Sequence, residues 1–346
     1  MVVRPSALVG LALGLPAFGC MTNLAAGTTV NVIAQASPAI QRFEDTELAE
    51  QGMPASIATM EGLLEIRPKD TKLRALLART YASYGFGFLE DHMEEALSRD
   101  DDANAERYRL RAGMAFSRAR ELAIGNLSLW QDDTGGAEGH IKQGLAAWTA
   151  YLKEFDDQDQ VSSLFWAAYA WARYIGLNRD DMSALADLPY VNAISDRLLE
   201  LDEAFMGHAP HALRAGLIGT APAQLGGRPQ EAKKEFDIAI AATAGKNLMY
   251  LVVEARIVAI ALQDRALYKK LLTTVLEAPR DLDLNQRLSN QLAKRRATRY
   301  LAEIDMLFEP EPAAPSLTPE TATEPASAAE APPAPAPPAT QTPPKP

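Results

Sequence analysis

The 346-residue chain has a single cysteine, Cys20, so an internal disulfide and a cysteine-built metal site are both excluded. Histidine is nearly as scarce, with His92, His140, His208 and His211 the complete set. Only His208 and His211 stand at a metal-like spacing, but Pro210 lies between them and no third histidine or cysteine is near. No metal or cofactor site is therefore expected. The patterns G-x-S-x-G, H-E-x-x-H and G-x-x-x-x-G-K-[ST] are missing, and with them a nucleophile elbow, a metal-binding helix and a phosphate cradle. Positive charge is also short: 34 Lys and Arg against 45 Asp and Glu give a formal net charge of -11, the wrong sign for nucleic acid. The one basic run, Lys294-Arg295-Arg296, reads as a solvated helix face. Glu90-Asp91 and Glu94-Glu95 read as solvated or capping groups, because adjacent carboxylates on a helix point to different sides. No stretch shows the alternation of a strand. The chain reads as a non-enzymatic, all-α protein.

What is present is helical periodicity, with 47% hydrophobic residues available for a core. Leu77, Tyr81, Tyr84 and Phe88 fall at steps of four, three and four, which puts them on one face of a helix. Ala112, Phe116 and Ala119 form a matching stripe on a second arm, so Leu73 to Ala123 reads as two antiparallel helices around the acidic loop Asp100 to Asp102. The A-x-x-x-F-x-x-A spacing returns at Ala232, Phe236 and Ala239, and the register resembles a 34-residue tetratricopeptide-like repeat. Further helices are expected over Leu48 to Ile66 with Pro54 in a first turn, Ile141 to Phe155, Val161 to Leu177, Ala184 to Leu201, Ala209 to Leu217, Gln230 to Ala242, Lys246 to Leu262, Arg265 to Glu277 and Asn285 to Phe308. Asp70 or Thr71 is placed to cap the helix that follows. Gly85 and Gly87, two glycines in three residues, mark a close helix approach or a local opening.

The two ends differ from this array. Arg4 precedes an apolar run from Ser6 to Leu15, and Ala17 and Gly19 lead into Cys20, the pattern of a secretory leader. A small residue directly before the cysteine resembles a lipobox, which makes residues 1–19 a lipoprotein signal peptide and Cys20 the lipidated N-terminus; an ordinary leader with an incidental thiol is the alternative. Met21, rather than Asp, follows the cysteine and favours the outer membrane over the inner. Residues 20–37 are expected to be a flexible tether, 38–308 the helical domain, and 309–346, almost wholly Pro, Ala, Thr, Ser and Glu, a disordered tail.

Three stretches together resemble the T-component lipoproteins of tripartite ATP-independent periplasmic (TRAP) transporters. They are Tyr81 to Asp91, Trp166 to Leu177 with Leu188-Pro189, and Pro222 to Pro229 followed by the Phe236 helix. The resemblance runs from about Pro38 to Phe308 and implies an array of tetratricopeptide-like helix pairs, assembly as a homotrimer and association with a periplasmic solute-binding subunit. It also implies an apolar cleft or pore for a small organic or hydrophobic solute. The candidate lining residues are Tyr81, Tyr84, Phe88, Trp166, Tyr169 and Tyr174, which helical spacing alone would equally place in the core. A protein-interaction scaffold in the cell envelope is the competing reading, in which those rings are simply core.

Overall fold

The computed structural model describes residues 15–131, 135–220, 227–308 and 336, and no strand occurs among them. Residues 1–14 of the leader, most of the joint at 221–226 and nearly all of the tail lie outside the described residues, as does the side chain of Cys20. The helices begin with α1 (Leu15–Ala36), a 3-10 segment (Ser37–Arg42), α2 (Thr46–Ile66) and α3 (Thr71–Tyr84). Gly85–Leu89 is a single π-helical turn that runs straight into α4 (Glu90–Leu97), and α5 (Asp102–Trp130) returns antiparallel along it. Then come α6 (Gly136–Gln143), α7 (Leu145–Leu152), α8 (Gln158–Leu177), the one-turn α9 (Met182–Leu185), α10 (Leu188–Asp202), α11 (Phe205–Thr220, kinked near its start where Met206, Gly207 and His208 have positive φ) and α12 (Pro229–Ala242). The array ends with α13 (Leu248–Glu254), a second π-helical turn (Ala255–Ala259), α14 (Arg265–Glu277), α15 (Arg287–Ala302) and α16 (Ile304–Leu307).

The caps are chemically ordinary. Asp70 accepts from the Leu73 amide at 3.0 Å and starts α3, and Asp157 with Gln160 forms a capping box that starts α8. Helix α8 is central because it is apolar nearly all round: Leu164, Ala168, Trp171 and Ile175 fill one buried face, and Phe165, Trp166, Ala167 and Ala170, also buried, are spread over the rest of its circumference. Alanines let α5 and α8 approach closely, with Ala112, Ala115, Ala119 and Ala123 buried opposite Ala167, Ala168 and Ala170. One large cluster of buried side chains runs from α1 to α11, and a second joins α2, α13, α14 and α15.

Several expectations need correction. The stretch expected to be a tether is helical from Leu15 to Ala36 and docked: Ala26 and Val30 are buried, Ile33 packs on the first core, and the Arg67 guanidinium donates to the Asn23 side chain at 2.5 Å. The steps of four and three between Ala26, Val30 and Ile33 are a helical signal, masked by the Thr and Asn residues between them. Pro54 lies inside α2, well beyond its first turn. The helix expected over Ile141 to Phe155 is split at Gly144, whose φ of 105° is open to glycine and closed to other residues.

Candidate functional site

Two features lie along α3 and the π turn that continues it. The first is an open cleft of about 530 Å³ between α2, α3 and α5, walled by Ile57, Ala58, Tyr81, Tyr84, Leu89 and Met114. Its polar end is locked. Arg118 grips Glu61 with two hydrogen bonds of 2.9 and 2.8 Å, and the Tyr81 hydroxyl donates to the same carboxylate at 2.9 Å. The Arg118 contact holds the Glu61 carboxyl below its ordinary range, while burial and then Glu61 push the Tyr81 phenol up to about 12. At the other end Arg111 donates to the Tyr84 hydroxyl at 3.3 Å.

The second feature is built by the π turn. A π turn adds one residue to a helix and rotates everything after it by about 100°. Here it directs the Phe86 ring between two guanidiniums, Arg173 of α8 at 4.8 Å and Arg296 of α15 at 4.3 Å, with Tyr169 edge-on at 6.2 Å. The same rotation carries Glu90 to Arg173, whose Nε donates to it at 3.0 Å, and Asp91 to Arg295, Arg299 and Arg296 at 2.5, 2.7 and 3.3 Å. Arg296 also donates to the Phe86 carbonyl at 2.5 Å, and Glu94 accepts from Arg299 at 2.7 Å and from the Tyr300 hydroxyl at 2.5 Å.

These groups are not solvated, which corrects two expectations. Glu90, Asp91 and Arg296 are each 1–2% exposed. Three consecutive residues of a helix spread over about 200° of its circumference, so Lys294-Arg295-Arg296 cannot share one face, and Arg296 turns inward. Burial opposes the charge on Asp91, yet Arg296, Arg295 and Arg299 outweigh it and lower its pKa. Arg296 is likewise held charged, with Glu94, Tyr300 and Asp91 overcoming its burial. Arg173 goes the other way: burial and the neighbouring Arg296 pull its guanidinium down to about 9. Carboxylates three and four residues after Gly85-Phe86-Gly87, and arginines at steps of one and three in α15, were the available signals for this centre.

The six candidate lining residues are divided between these places. Tyr81 and Tyr84 line the cleft. Phe88, one residue beyond the middle of the π turn, is 1% exposed in the second core cluster, and Leu89 faces the cleft in its stead. Tyr169 packs on Phe86 and Phe165; Trp166 is buried against both Phe165 and Tyr169. Tyr174 packs, partly buried, on the first core. His208 and His211 stack with ring centres 5.7 Å apart, and His211 pairs with Glu235 at 2.6 Å. Among the described residues no group of three His, Cys, Asp or Glu side chains could hold a metal ion.

No curated protein matches the chain. The family model of the TRAP transporter T-component matches residues 43–308, which spans the helical array from the start of α2 to the end of α16 and includes both the cleft and the π-turn centre. The family is transport-associated and non-enzymatic, and the chain belongs to it: it is a TRAP transporter T-component.

Proposed function

We propose that this chain is a lipid-anchored homotrimer on the periplasmic side of the cell envelope. It holds or channels a small organic solute for a TRAP transporter, working with that system's periplasmic solute-binding subunit. Family membership supports the transport role. Among the described residues no helix is long and apolar enough to cross a membrane, and acylation at Cys20 would supply the attachment, favouring the outer membrane. Helix α1 would then hold the body close to the bilayer, since only about one helical turn separates Cys20 from the Asn23–Arg67 contact.

The observation that carries the solute role is the cleft walled by Tyr81, Tyr84 and Met114, an apolar cavity with few, fixed polar groups. Native mass spectrometry of the gently purified full chain tests it. The expected result is a trimer carrying a small molecule that is lost when Tyr84→Ala is introduced into a still-folded protein. An empty monomer overturns the reading and leaves the scaffold role in its place. Loss of the protein from the membrane fraction in Cys20→Ser checks the anchor.

A further inference from the structure

Helix α1 carries no charged residue from Leu15 to Ala36, in a chain of which 23% is Asp, Glu, Lys or Arg. Its inner side is accounted for, since Ala26 and Val30 are buried and Ile33 packs on the first core. Its outer side is apolar and open. Leu24 and Val32 are 74% and 61% exposed, and with Thr28 between them they recur at steps of four, one stripe along the helix that ends near Gln35. Polar atoms on this side are satisfied without water. The exposed Thr28 and Thr29 hydroxyls donate to the Leu24 and Ala25 carbonyls at 3.1 and 3.0 Å, and the Asn31 side chain accepts from the Lys72 ammonium at 3.0 Å.

The rim of this side is basic. Between Glu65 and Arg74, Arg67, Lys69, Lys72 and Arg74 stand against Glu65 and Asp70, and Asp70 is already held by the Arg67 guanidinium at 2.7 Å and the Leu73 amide at 3.0 Å. Arg67 and Lys72 wall a pocket of about 380 Å³ together with Leu24, Gly27 and Thr28 of α1. In a chain of net charge -11, an uncharged apolar stripe edged by cations matches an acyl layer edged by phosphates. Position 20 stands one four-residue step before Leu24, so an acyl group there starts on the same stripe. Helix α1 also precedes residue 43, where the family match begins, so this surface belongs to the chain's own N-terminal segment. We propose that the outer side of α1 docks on the lipid bilayer, the helix lying in the interface with Leu24 and Val32 in the acyl layer and Arg67 and Lys72 beside the phosphates. The proposal rests on the Cys20 anchor proposed above and adds an orientation to it: an anchor alone leaves the body free to turn, whereas a docked α1 fixes which side of the array faces the membrane.

Site-directed spin labelling of the acylated full chain in vesicles of phosphatidylethanolamine and phosphatidylglycerol tests it. Acylation occupies the only native cysteine, so Leu24→Cys, Val32→Cys and Lys269→Cys each present one free thiol, at three exposed positions where a label leaves the core undisturbed. Nitroxides at 24 and 32 are expected to relax mainly with oxygen, which concentrates in lipid, and the nitroxide at 269, on α14, mainly with a water-soluble nickel chelate. Leu24→Glu is expected to shift the label at 32 towards nickel, because a carboxylate is costly in the acyl layer. Nickel-dominated relaxation at 24 and 32 overturns the docking, as does a label at 32 that ignores Leu24→Glu. Shielding from both reagents, the mark of a protein covering this side, overturns it too. Intact mass reports the anchor separately: an unmodified Cys20 overturns the anchor and the docking together, whereas an acylated chain with nickel-accessible labels overturns the docking alone.

Discussion

Among the described residues the same backbone irregularity occurs twice, and the two copies are electrically opposite. The turns at Gly85–Leu89 and Ala255–Ala259 each insert one π turn into a helix, and each is flanked by a deeply buried carboxylate. At the first turn, Asp91 is met by three arginines and its pKa is lowered. At the second, Glu254 is equally enclosed, with 2% of its side chain exposed, but its ion-pair partner among the described residues, the Lys233 ammonium, is 3.8 Å away and sits closer to Asp237, at 2.8 Å. Burial pushes the Glu254 carboxyl up to about 7. Burial alone does not fix a charge state; the number of cations brought to the carboxylate does. The turns also differ in where the small residue sits. Gly85 lies within the first turn against the Phe116 ring, whereas at the second the glycine is Gly219 on the facing helix α11, against Ile257.

Removing the charge at the first turn is the most severe way to break this contrast. Asp91→Asn leaves Arg295, Arg296 and Arg299 without their shared anion in the interior. A loss of about 3–5 kcal/mol is expected, measured by chemical denaturation. A loss under about 1 kcal/mol would mean that these arginines reach water or Glu94 well enough to stand alone. The second test is steric. A Cβ on Gly85 would lie 2.9 Å from the Phe116 ring edge, so Gly85→Ala is expected to cost about 1–3 kcal/mol despite alanine's better helix propensity. Alanine is native at the matching position of the second turn, Ala255, so a neutral result would show that the glycine is not what the first turn requires.

The difference between the turns also marks how far the sequence could be read. The amphipathic stripes were legible because they repeat: Leu164, Ala168, Trp171 and Ile175 are one buried face of α8, and Ala232, Phe236 and Ala239 one of α12. The π turns were not legible. A helix with one extra residue shows unbroken apolar spacing on both sides, and only the phase between the sides changes. The stripe from Leu77 through Phe88 therefore reads as continuous, while in the fold it is cut after Tyr84, leaving Tyr81 and Tyr84 at the cleft and Phe88 in another core. The charged centre was hidden for a related reason. Its partners are joined across some 200 residues, Asp91 to Arg299, and no local pattern reports a pairing at that distance.

A titration sharpens the contrast without disturbing the packing. The Glu254 carboxyl sits at about 7 in the folded chain against an ordinary value of 4.5, so between those two values the native state holds more protons than the unfolded state. Stability from this group is full below about 4.5 and is lost as pH rises through about 7. Glu254→Gln should flatten that segment of the stability profile and stabilise the protein at pH 8 by about 1–2 kcal/mol. Asp91 predicts the opposite slope, stability lost as pH falls through its lowered folded value. Thermal denaturation across pH 4 to 9 distinguishes them: a Glu254→Gln profile parallel to the parent means that water or Lys233 already compensates the charge.

The smallest effect is expected outside both turns, at the cleft. Glu61 is also a carboxylate held by an arginine, but its side chain is 27% exposed and its two oxygens are already held by Arg118. Tyr81→Phe removes a third hydrogen bond from a group that keeps two, with water close enough to replace the lost donor. About 0.5–1 kcal/mol of stability should go, the ordinary net worth of such a bond. The comparison turns on this small number. If carboxylates here are governed by how many cations reach them and how little water does, then the partly exposed Glu61 must be less sensitive than Asp91. A Tyr81→Phe loss as large as that of Asp91→Asn would show instead that the phenol positions Arg118 and the whole α2–α3–α5 wall. The cleft would then be a rigid, cooperative unit like the π-turn centre, and solute entry would have to deform it.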